Sequence, residues 1–257
     1  MGEVAVERRG ATTWITIDRP ERRNAMDEAV AAGIARGLDE AEASDSRAVV
    51  LTGAGDRAFC AGGDLKPGAA APFEADPSDP RNFVVTLLRR MGRCGLPIVA
   101  RVNGHALAGG LGLVCACDLA VAAPHARFGT PETGIGLFPM MILPAMQRVL
   151  SLRALFELCI TGEPVDAVEA RRLGIVNHVA EEGRLDEKTD WLLSRIVDKS
   201  PTAIRLGKMA FSAMRDMTLD QGLDYAQLML PTMARTEDAR EGFAAFREKR
   251  PPAWTGR

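Results

Sequence analysis

Three short apolar runs restrict the fold of this chain more than any other feature of its sequence. They span residues 48–51, 98–102 and 118–122. Runs of this length and composition are typical of strands buried on both faces. A helical pattern over residues 83–93 lies between the first two runs. Alternating strands and helices predict an α/β fold.

The N-terminal part predicts a β-hairpin followed by a helix. Apolar residues alternate with polar ones on both sides of Gly10, which predicts a hairpin over residues 4–17. Asp27 is expected to cap a helix whose apolar residues recur at every fourth position, at 30, 34 and 38.

The C-terminal half has a different hydrophobic pattern from the N-terminal half. From about residue 139 onward the pattern is mostly helical, with one strand candidate at 174–179. A Lys-Ser-Pro break at 199–201 places a boundary near 195–200. Residues 68–80, rich in Ala, Pro, Asp and Gly, predict a mobile loop.

The charge balance excludes several classes of partner. Lys and Arg total 32 against 34 Asp and Glu, which gives a formal net charge of -2. A chain this balanced has no global attraction to nucleic acid or to an anionic membrane. No apolar stretch approaches the roughly 20 residues that span a bilayer. We therefore expect neither a nucleic acid nor a membrane as partner.

The cysteines and the first residues indicate a compartment. Five scattered cysteines, an odd number, do not form the pattern of a disulfide framework. Residues 1–10 lack the apolar segment of a signal peptide. Both observations favour a reducing, cytoplasmic location.

Two glycine-bearing segments are the first features that carry chemistry. Residues 58–65 read Ala-Phe-Cys-Ala-Gly-Gly-Asp-Leu and are expected directly after a strand ending at Gly53. Residues 103–112 are expected directly after a strand ending at Val102. Small residues at such places let the backbone approach a ligand and present N–H groups to it. The second segment leads into an apolar helical stretch, so its amides would lie at a helix N-terminus, which favours an anion.

The two segments have other interpretations. Either segment alone could be an ordinary turn, and its sequence leaves that open. A dinucleotide-binding loop needs a third glycine where Cys115 follows Gly110 and Gly112. A Walker loop needs lysine where the chain has Gly110. Both nucleotide-binding patterns therefore lack a required residue.

Further candidate groups have simpler explanations. His105 has no identifiable partner for proton transfer and is expected to be structural. Cys115 and Cys117 with His105 and His125 match no standard zinc spacing, and an apolar core segment accounts for the cysteines, so no metal is expected. The chain has no Gly-x-Ser-x-Gly elbow, so a serine hydrolase lacks its nucleophile.

Several motifs, taken in order, resemble those of the crotonase superfamily, the enoyl-CoA hydratase and isomerase family. Arg-Pro-Glu-Arg-Arg-Asn-Ala at 19–25 resembles its N-terminal motif, and the two glycine segments resemble its oxyanion-hole segments. Residues 129–132 and 134–139 resemble its catalytic-glutamate segment, and residues 243–249 its C-terminal signature. These motifs span nearly the whole chain and together are specific.

The resemblance implies the catalytic residues. The backbone N–H groups of Gly63 and Gly109 would form an oxyanion hole, and Glu132 would be the catalytic carboxylate with a pKa raised by burial. The family's frequent second glutamate falls on Gly112 and is absent. One carboxylate suffices to move a proton between two carbons, which is double-bond isomerisation. Single-glutamate hydratases also occur in this family, so hydration stays open.

The resemblance also implies how coenzyme A is held. Arginine and lysine suit phosphates as cations and donors. Residues 22–25 would lie along the pantetheine and adenine, residue 66 near the nucleotide, and residues of the C-terminal signature would complete the pocket, commonly from a neighbouring subunit. The expected substrate-binding residues are Arg22, Arg23, Ala25, Ala61, Lys66, Phe246 and Lys249.

Two further assignments concern the surroundings of these residues. Asp64 is expected to cap or brace its loop rather than to act in catalysis. Residues 138–142, Phe-Pro-Met-Met-Ile, either line an acyl pocket, since methionine adapts to irregular ligands, or pack in the core.

The overall expectation is a crotonase-like spiral of ββα turns over residues 1–197, followed by a helical C-terminal trimerisation region over 198–257. The assembly would be a homotrimer or a hexamer. The expected function is proton transfer on an unsaturated acyl-CoA, with Δ3–Δ2 isomerisation favoured and no cofactor besides the coenzyme A of the substrate. The alternatives are a single-glutamate enoyl-CoA hydratase and a catalytically silent acyl-CoA-binding protein.

Overall fold

The computed structural model describes residues 2–65 and 81–257. In these ranges the strands are, in chain order, β1 (Val4–Arg9), β2 (Thr12–Ile17), β3 (Ala48–Gly53), β4 (Ala58–Cys60), β5 (Ile98–Val102), β6 (His105–Leu107), β7 (Leu119–Ala122), β8 (Arg127–Gly129), β9 (Val165–Asp166) and β10 (His178–Val179). The α-helices are α1 (Glu28–Glu42), α2 (Phe83–Arg93), α3 (Gly109–Ala116), α4 (Leu143–Met146), α5 (Leu152–Thr161), α6 (Ala167–Leu173), α7 (Leu185–Val197), α8 (Pro201–Met214), α9 (Leu219–Ala234) and α10 (Glu237–Glu248). Two 3₁₀ turns cover Pro20–Arg22 and Pro131–Ile135.

The main sheet confirms the predicted hairpin and the three predicted buried strands. Its order is β1-β2-β3-β5-β7-β10. Strands β1 and β2 pair antiparallel, with Val4 opposite Ile17, and the remaining neighbours pair parallel. The apolar runs lie in β3, β5 and β7 at the centre, where both faces are covered by protein.

Alternate residues of the central strands enter two different cores. Val49 and Leu51 of β3 belong to the larger core, together with residues of α1, α2 and α3. Ala48 and Val50 face the other side and pack with Leu192 and its neighbours on α7. This alternation follows from the two-residue period of a strand.

A second sheet was not predicted from the sequence. It has four strands in the order β4-β6-β8-β9, each only two or three residues long. The segment at 103–112 follows β5 directly, as predicted, and β6 forms inside it. The segment at 58–65 begins with β4, and residues 54–57 separate it from β3. Strands this short carry no readable hydrophobic period.

Other predicted elements agree with the structure or are shorter than expected. Asp27 caps α1, since its Oδ1 accepts from the Val30 N–H at 2.9 Å. The strand candidate at 174–179 is reduced to β10, because Gly174 ends α6 in the left-handed region at φ +87°. The predicted loop at 68–80 lies outside the described residues.

The last three helices differ from the rest of the molecule. Helix α7 ends at Val197 and α8 begins at Pro201, where the sequence predicts a break, and the division into residues 1–197 and 198–257 stays a prediction. Helix α9 contains no buried residue. No helix in the described ranges has the length and apolarity that crossing a membrane requires.

A buried carboxylate ties the C-terminal residues to α8. Asp238 is 1% exposed and accepts hydrogen bonds from the Ser200 hydroxyl at 2.7 Å and from the N–H groups of Thr255 and Gly256 at 2.8 and 3.1 Å. Burial opposes its ionisation, but these hydrogen bonds outweigh that penalty and lower the pKa of Asp238 to about 2.

Candidate functional site

The second sheet brings the two glycine segments together. Strands β4 and β6 pair in parallel, so the residues that follow them emerge side by side. A Cβ placed on Gly62 would lie 2.7 Å from Ala108 Cβ and 3.5 Å from Gly109 N. A side chain at Gly62 would therefore collide with the second segment, and its φ of +101° also favours glycine.

The backbone presents two free amides at this contact. Gly109 is the first residue of α3, as predicted, and the preceding Ala108 is held at φ 49°, ψ −124°, a conformation that costs a non-glycine residue energy. Gly63 forms an isolated bridge with Met26. Within residues 2–65 and 81–257, neither the Gly63 N–H nor the Gly109 N–H donates a hydrogen bond. The Gly109 N–H lies at the N-terminus of α3, and the Gly63 N–H lies in the first glycine segment. Two such unused donors can stabilise a developing oxyanion.

Glu132 lines the same cavity as Gly63 and Gly109 and lies in the 3₁₀ turn Pro131–Ile135. Its Oε2 is buried and accepts no hydrogen bond from the described residues. Burial raises the pKa of the Glu132 carboxyl above its ordinary value. The preceding Thr130 is fully buried and donates to the Leu158 carbonyl at 2.9 Å, which anchors the turn to α5. A half-buried carboxylate with one buried, unused oxygen is suited to taking and returning a proton.

A cavity of about 270 Å³ joins the amides to the carboxylate. Among its described lining residues Glu132 is the sole titratable group, and the remainder is apolar or glycine. Residues 138–142 all contribute to the wall, and Ile142 also belongs to the larger core, with Phe138 and Met141 packed against it. The segment therefore both lines the pocket and packs in the core. The lining residues are Met26, Ala61, Gly63, Leu65, Val84, Ala108, Gly109, Pro131, Glu132, Ile135, Phe138, Pro139, Met140, Met141 and Ile142.

The space beside Gly112, where the resemblance places the family's second glutamate, is filled by a different side chain. Gly112 is buried in α3, and a Cβ built on it would lie 2.2 Å from Ile142 Cγ2 and 2.6 Å from Ile142 Cβ. Ile142 is 3% exposed. The side chain of Ile142 therefore occupies the space that a residue at 112 would need, and an apolar wall stands where a carboxylate would emerge.

The predicted substrate-binding residues lie in different places. Ala61 lines the cavity. Arg22 and Arg23 are exposed in the turn before Met26, and Ala25 is buried beside them. None of these three is among the lining residues.

The remaining two described candidates belong to the end of α10. Phe246 is 84% exposed, and Lys249 follows the helix in the left-handed region at φ 55°. Neither lines the cavity of its own chain. Lys66 lies outside the described residues.

Sequence reasoning missed the polar residues that brace the site. Arg19 is 2% exposed and donates to Asp64, which confirms the bracing role expected of that aspartate. Asn24 and Asn103 are both buried, and each donates to the Ala58 carbonyl, at 2.7 and 3.0 Å. An asparagine just after a predicted strand or turn could have indicated this bracing role, because the Asn side chain commonly bonds nearby backbone.

The other chemically reactive residues take no part in this cavity. The five cysteines carry free thiols, and Cys115 is buried in the larger core. His105 is exposed at the start of β6 and is absent from the lining. The described part of the chain holds no cluster of three His, Cys, Asp or Glu side chains that could bind a metal.

Comparison with known proteins agrees with this geometry. The sequence model of the family described as Enoyl-CoA hydratase/isomerase matches residues 7–257. The (E)-benzylidenesuccinyl-CoA hydratase of Thauera aromatica is 32% identical over 98% of this chain and 99% of its own. The short-chain-enoyl-CoA hydratase of Clostridium acetobutylicum is 31% identical, over 97% and 96%. A crystal structure of an enoyl-CoA hydratase from Bacillus anthracis superposes with a TM-score of 0.91 at 30% identity, over 99% of this chain and 100% of that one.

The mixed α/β architecture, with paired amide loops and a helical C-terminus, is that of a crotonase-superfamily enzyme, as the motifs suggested. Within that superfamily, the match over nearly the whole length decides the assignment: the chain belongs to the enoyl-CoA hydratase/isomerase family.

Proposed function

We propose that the chain acts on an unsaturated acyl-CoA, with Glu132 as its single base and the amides of Gly63 and Gly109 as the oxyanion hole. One observation carries the proposal. Among residues 2–65 and 81–257, the cavity is lined by one carboxylate, which has a buried and unused oxygen, and by two residues whose backbone N–H groups are unused. The apolar remainder of the wall suits a hydrocarbon acyl group.

The proposed chemistry is a proton shuttle along the acyl chain. Glu132 removes a proton from C2 of a 3-enoyl thioester, and the electron pair moves onto the carbonyl oxygen. The two N–H groups stabilise that charge, and losing one such donor typically costs about 3–4 kcal/mol of transition-state stabilisation. The protonated Glu132 then delivers the proton to C4, which leaves a 2-enoyl thioester. This chemistry needs a base and an oxyanion hole, so no cofactor besides the coenzyme A of the substrate is invoked.

The filled space at Gly112 favours isomerisation over hydration. Hydration needs a water held in position to attack C3. Ile142 offers no hydrogen bond to a water, and it takes the volume that a carboxylate at 112 would use. Among the described lining residues Glu132 is the sole polar side chain that could hold such a water, so proton return to carbon competes better.

A single-glutamate hydratase is the second candidate. The names of the relatives favour it, since the Thauera and Clostridium proteins are both called hydratases. In this case Glu132 would activate a water that attacks C3, and C2 would then be protonated. The buried Glu132 carboxylate and the two amides serve either reaction.

Coenzyme A recognition is proposed for residues outside the cavity. Arg22, Arg23 and Ala25 lie in the turn that precedes the lining residue Met26, so the coenzyme would run from the cavity toward this turn. Lys66 is retained as a candidate from the resemblance alone. The cationic side chains of Arg22, Arg23 and Lys66 suit the phosphates of coenzyme A.

A homo-oligomer, a trimer or a hexamer, is proposed for the C-terminal helices. Large apolar side chains are exposed on α8, α9 and α10, more than an isolated chain normally leaves in water: Met209, Phe211, Leu219, Leu223, Leu228, Leu230, Phe243 and Phe246. A neighbouring chain would cover them, and Phe246 and Lys249 would reach its site. Leu228→Asp should then reduce the mass measured by light scattering to that of a monomer. An unchanged mass would contradict this interface.

Glu132→Gln tests the proposed base on a panel of 2-enoyl and 3-enoyl thioesters. General-base catalysis contributes about 10²–10⁴-fold, so kcat should fall by at least about 100-fold while KM changes little. Glu182→Gln, at an exposed position of the same residue type, is the matched control and should keep kcat. Full activity of Glu132→Gln would contradict the proposal. Tight binding of thioesters without turnover by the wild type would favour the silent acyl-CoA-binding alternative.

A further inference from the structure

We infer that Arg19 is a positioning residue of the oxyanion hole: it fixes the direction of the Gly63 N–H by clamping Asp64 to the segment around Ala25. The inference rests on the proposed function, which assigns the Gly63 amide to the thioester oxygen. It adds a residue that touches neither the cavity nor the substrate.

The guanidinium of Arg19 joins residues 25–27 to Asp64, and its Nε also lies 3.3 Å from Glu3 Oε1. Its Nη2 donates to Asp64 Oδ2 at 2.9 Å, and its Nη1 donates to Asp27 Oδ2 at 2.8 Å and to the Ala25 carbonyl at 2.9 Å. The side chain is 2% exposed, and that of Asp64 is 3% exposed. The planar guanidinium presents its donors in a rigid fork, so these partners are held at fixed mutual positions.

The backbone around Gly63 explains why this clamp matters. The Met26 N–H donates to the Gly62 carbonyl at 2.7 Å, and the Asp64 N–H donates to the Met26 carbonyl at 2.9 Å. Because the peptide unit between Gly62 and Gly63 is planar and trans, its C=O and N–H point in opposite directions. The bond from Met26 therefore aims the Gly63 N–H away from Met26.

The Asp64 side chain holds this stretch and bonds two arginines: the buried Arg19, and the 41% exposed Arg22, whose Nη1 donates to Asp64 Oδ2 at 3.0 Å. Gly62 and Gly63 have no side chains to pack, and glycine backbone is permissive. The first side chain after them is that of Asp64, and Arg19 grips it together with the Ala25 carbonyl on the opposing segment. Arg19 therefore braces both sides of the two backbone bonds that orient the amide.

Arg19→Lys is the first variant to test. Lysine keeps the positive charge, so Asp27 and Asp64 stay compensated, but one ammonium cannot reproduce the fork to both carboxylates and the Ala25 carbonyl. We expect kcat to fall about 10- to 100-fold, the effect of a misplacement of about 1 Å, with KM changed less than about threefold. Arg90→Lys is the matched control: Arg90 bridges Asp39 and Glu42 between α2 and α1, away from the glycine segments, and it should keep wild-type kinetics.

The decisive readout is the infrared C=O stretch of a saturated acyl-CoA labelled with ¹³C at the thioester carbonyl. Donation from Gly63 and Gly109 lowers this frequency in the bound wild type relative to the free thioester. Arg19→Lys should lose half or more of that lowering, whereas Arg90→Lys should keep it. A merely structural role of Arg19 would lower the Tm without moving the band.

Each outcome decides a different claim. A wild-type band shift retained in full by Arg19→Lys, with kcat unchanged, would overturn the positioning role. A wild type that binds the thioester without any shift would overturn the proposed oxyanion hole itself. If Arg19→Lys does not fold, Asp64→Asn weakens the same bridge from the other side, together with the Arg22–Asp64 ion pair, with little change in volume, and it is held to the same two outcomes.

Discussion

Gly112→Ala is expected to destabilise the protein, although alanine is the better helix former. The added Cβ would lie 2.2 Å from Ile142 Cγ2, whereas carbon atoms pack best at about 3.5–4.0 Å. Such overpacking costs about 1–3 kcal/mol, and the better helix propensity returns about 1 kcal/mol. The net loss of up to about 2 kcal/mol should lower the Tm by up to about 8 °C in a chain of this size. Ile142 would also be pushed toward the cavity, so kcat should fall.

Thermal unfolding followed by circular dichroism at fixed protein concentration measures this effect. Gly92→Ala in α2 is the control, because nothing lies within 4 Å of a Cβ added there, and it should leave the Tm unchanged or raise it slightly. In an Ile142→Gly background the two overlapping atoms are gone, so Gly112→Ala should raise the Tm. An equal loss of Tm in both backgrounds would refute the assignment of this space to Ile142.

Three further predictions concern Ala108, Asp238 and Glu132. Ala108→Gly should raise the Tm by a few degrees, because relief of about 1–3 kcal/mol of backbone strain exceeds the entropic cost of glycine. The kcat should fall, because the Gly109 amide is then held less firmly. A lower Tm would contradict the strain at Ala108. Asp238 has its pKa lowered to about 2 by folding, so it stabilises above the unfolded pKa near 4 and loses that effect as the pH falls toward 2. The Tm gap between wild type and Asp238→Asn should therefore be constant above about pH 4 and narrow below it, and a gap independent of pH would be inconsistent with this linkage. Burial raises the pKa of Glu132, so as the pH is lowered kcat/KM should begin to fall at a pH above the ordinary pKa of glutamate. A fall in kcat/KM centred at the ordinary pKa of glutamate would argue against Glu132 as a buried base.

The features that could be predicted from the sequence are those that depend on local pattern. The helix over 83–93 matches α2 at both ends, because a helix of three turns repeats its apolar positions often enough to be recognised. The runs in β3 and β5 were recognised because strands covered on both faces are apolar throughout. Glu132 was found through its motif, and the structure adds that its free oxygen is buried.

The features that were missed depend on residues far apart in the chain. Ile142 fills the space beside Gly112 from 30 positions away, a relation that no local pattern carries. Arg19 meets Asp64 across 45 positions, and neither its burial nor its partner can be read from the residues around it. The second sheet brings β4 and β6 together although each has only three residues. Tertiary packing decides all three.

Product analysis of a 3-enoyl-CoA incubated in deuterated water, with wild type beside Glu132→Gln, tests the central claim most directly. A single base working with two amides predicts Glu132-dependent conversion to the 2-enoyl thioester, with little 3-hydroxyacyl product. Dominant 3-hydroxyacyl-CoA would contradict that account and would mean that Glu132 alone directs water in this cavity.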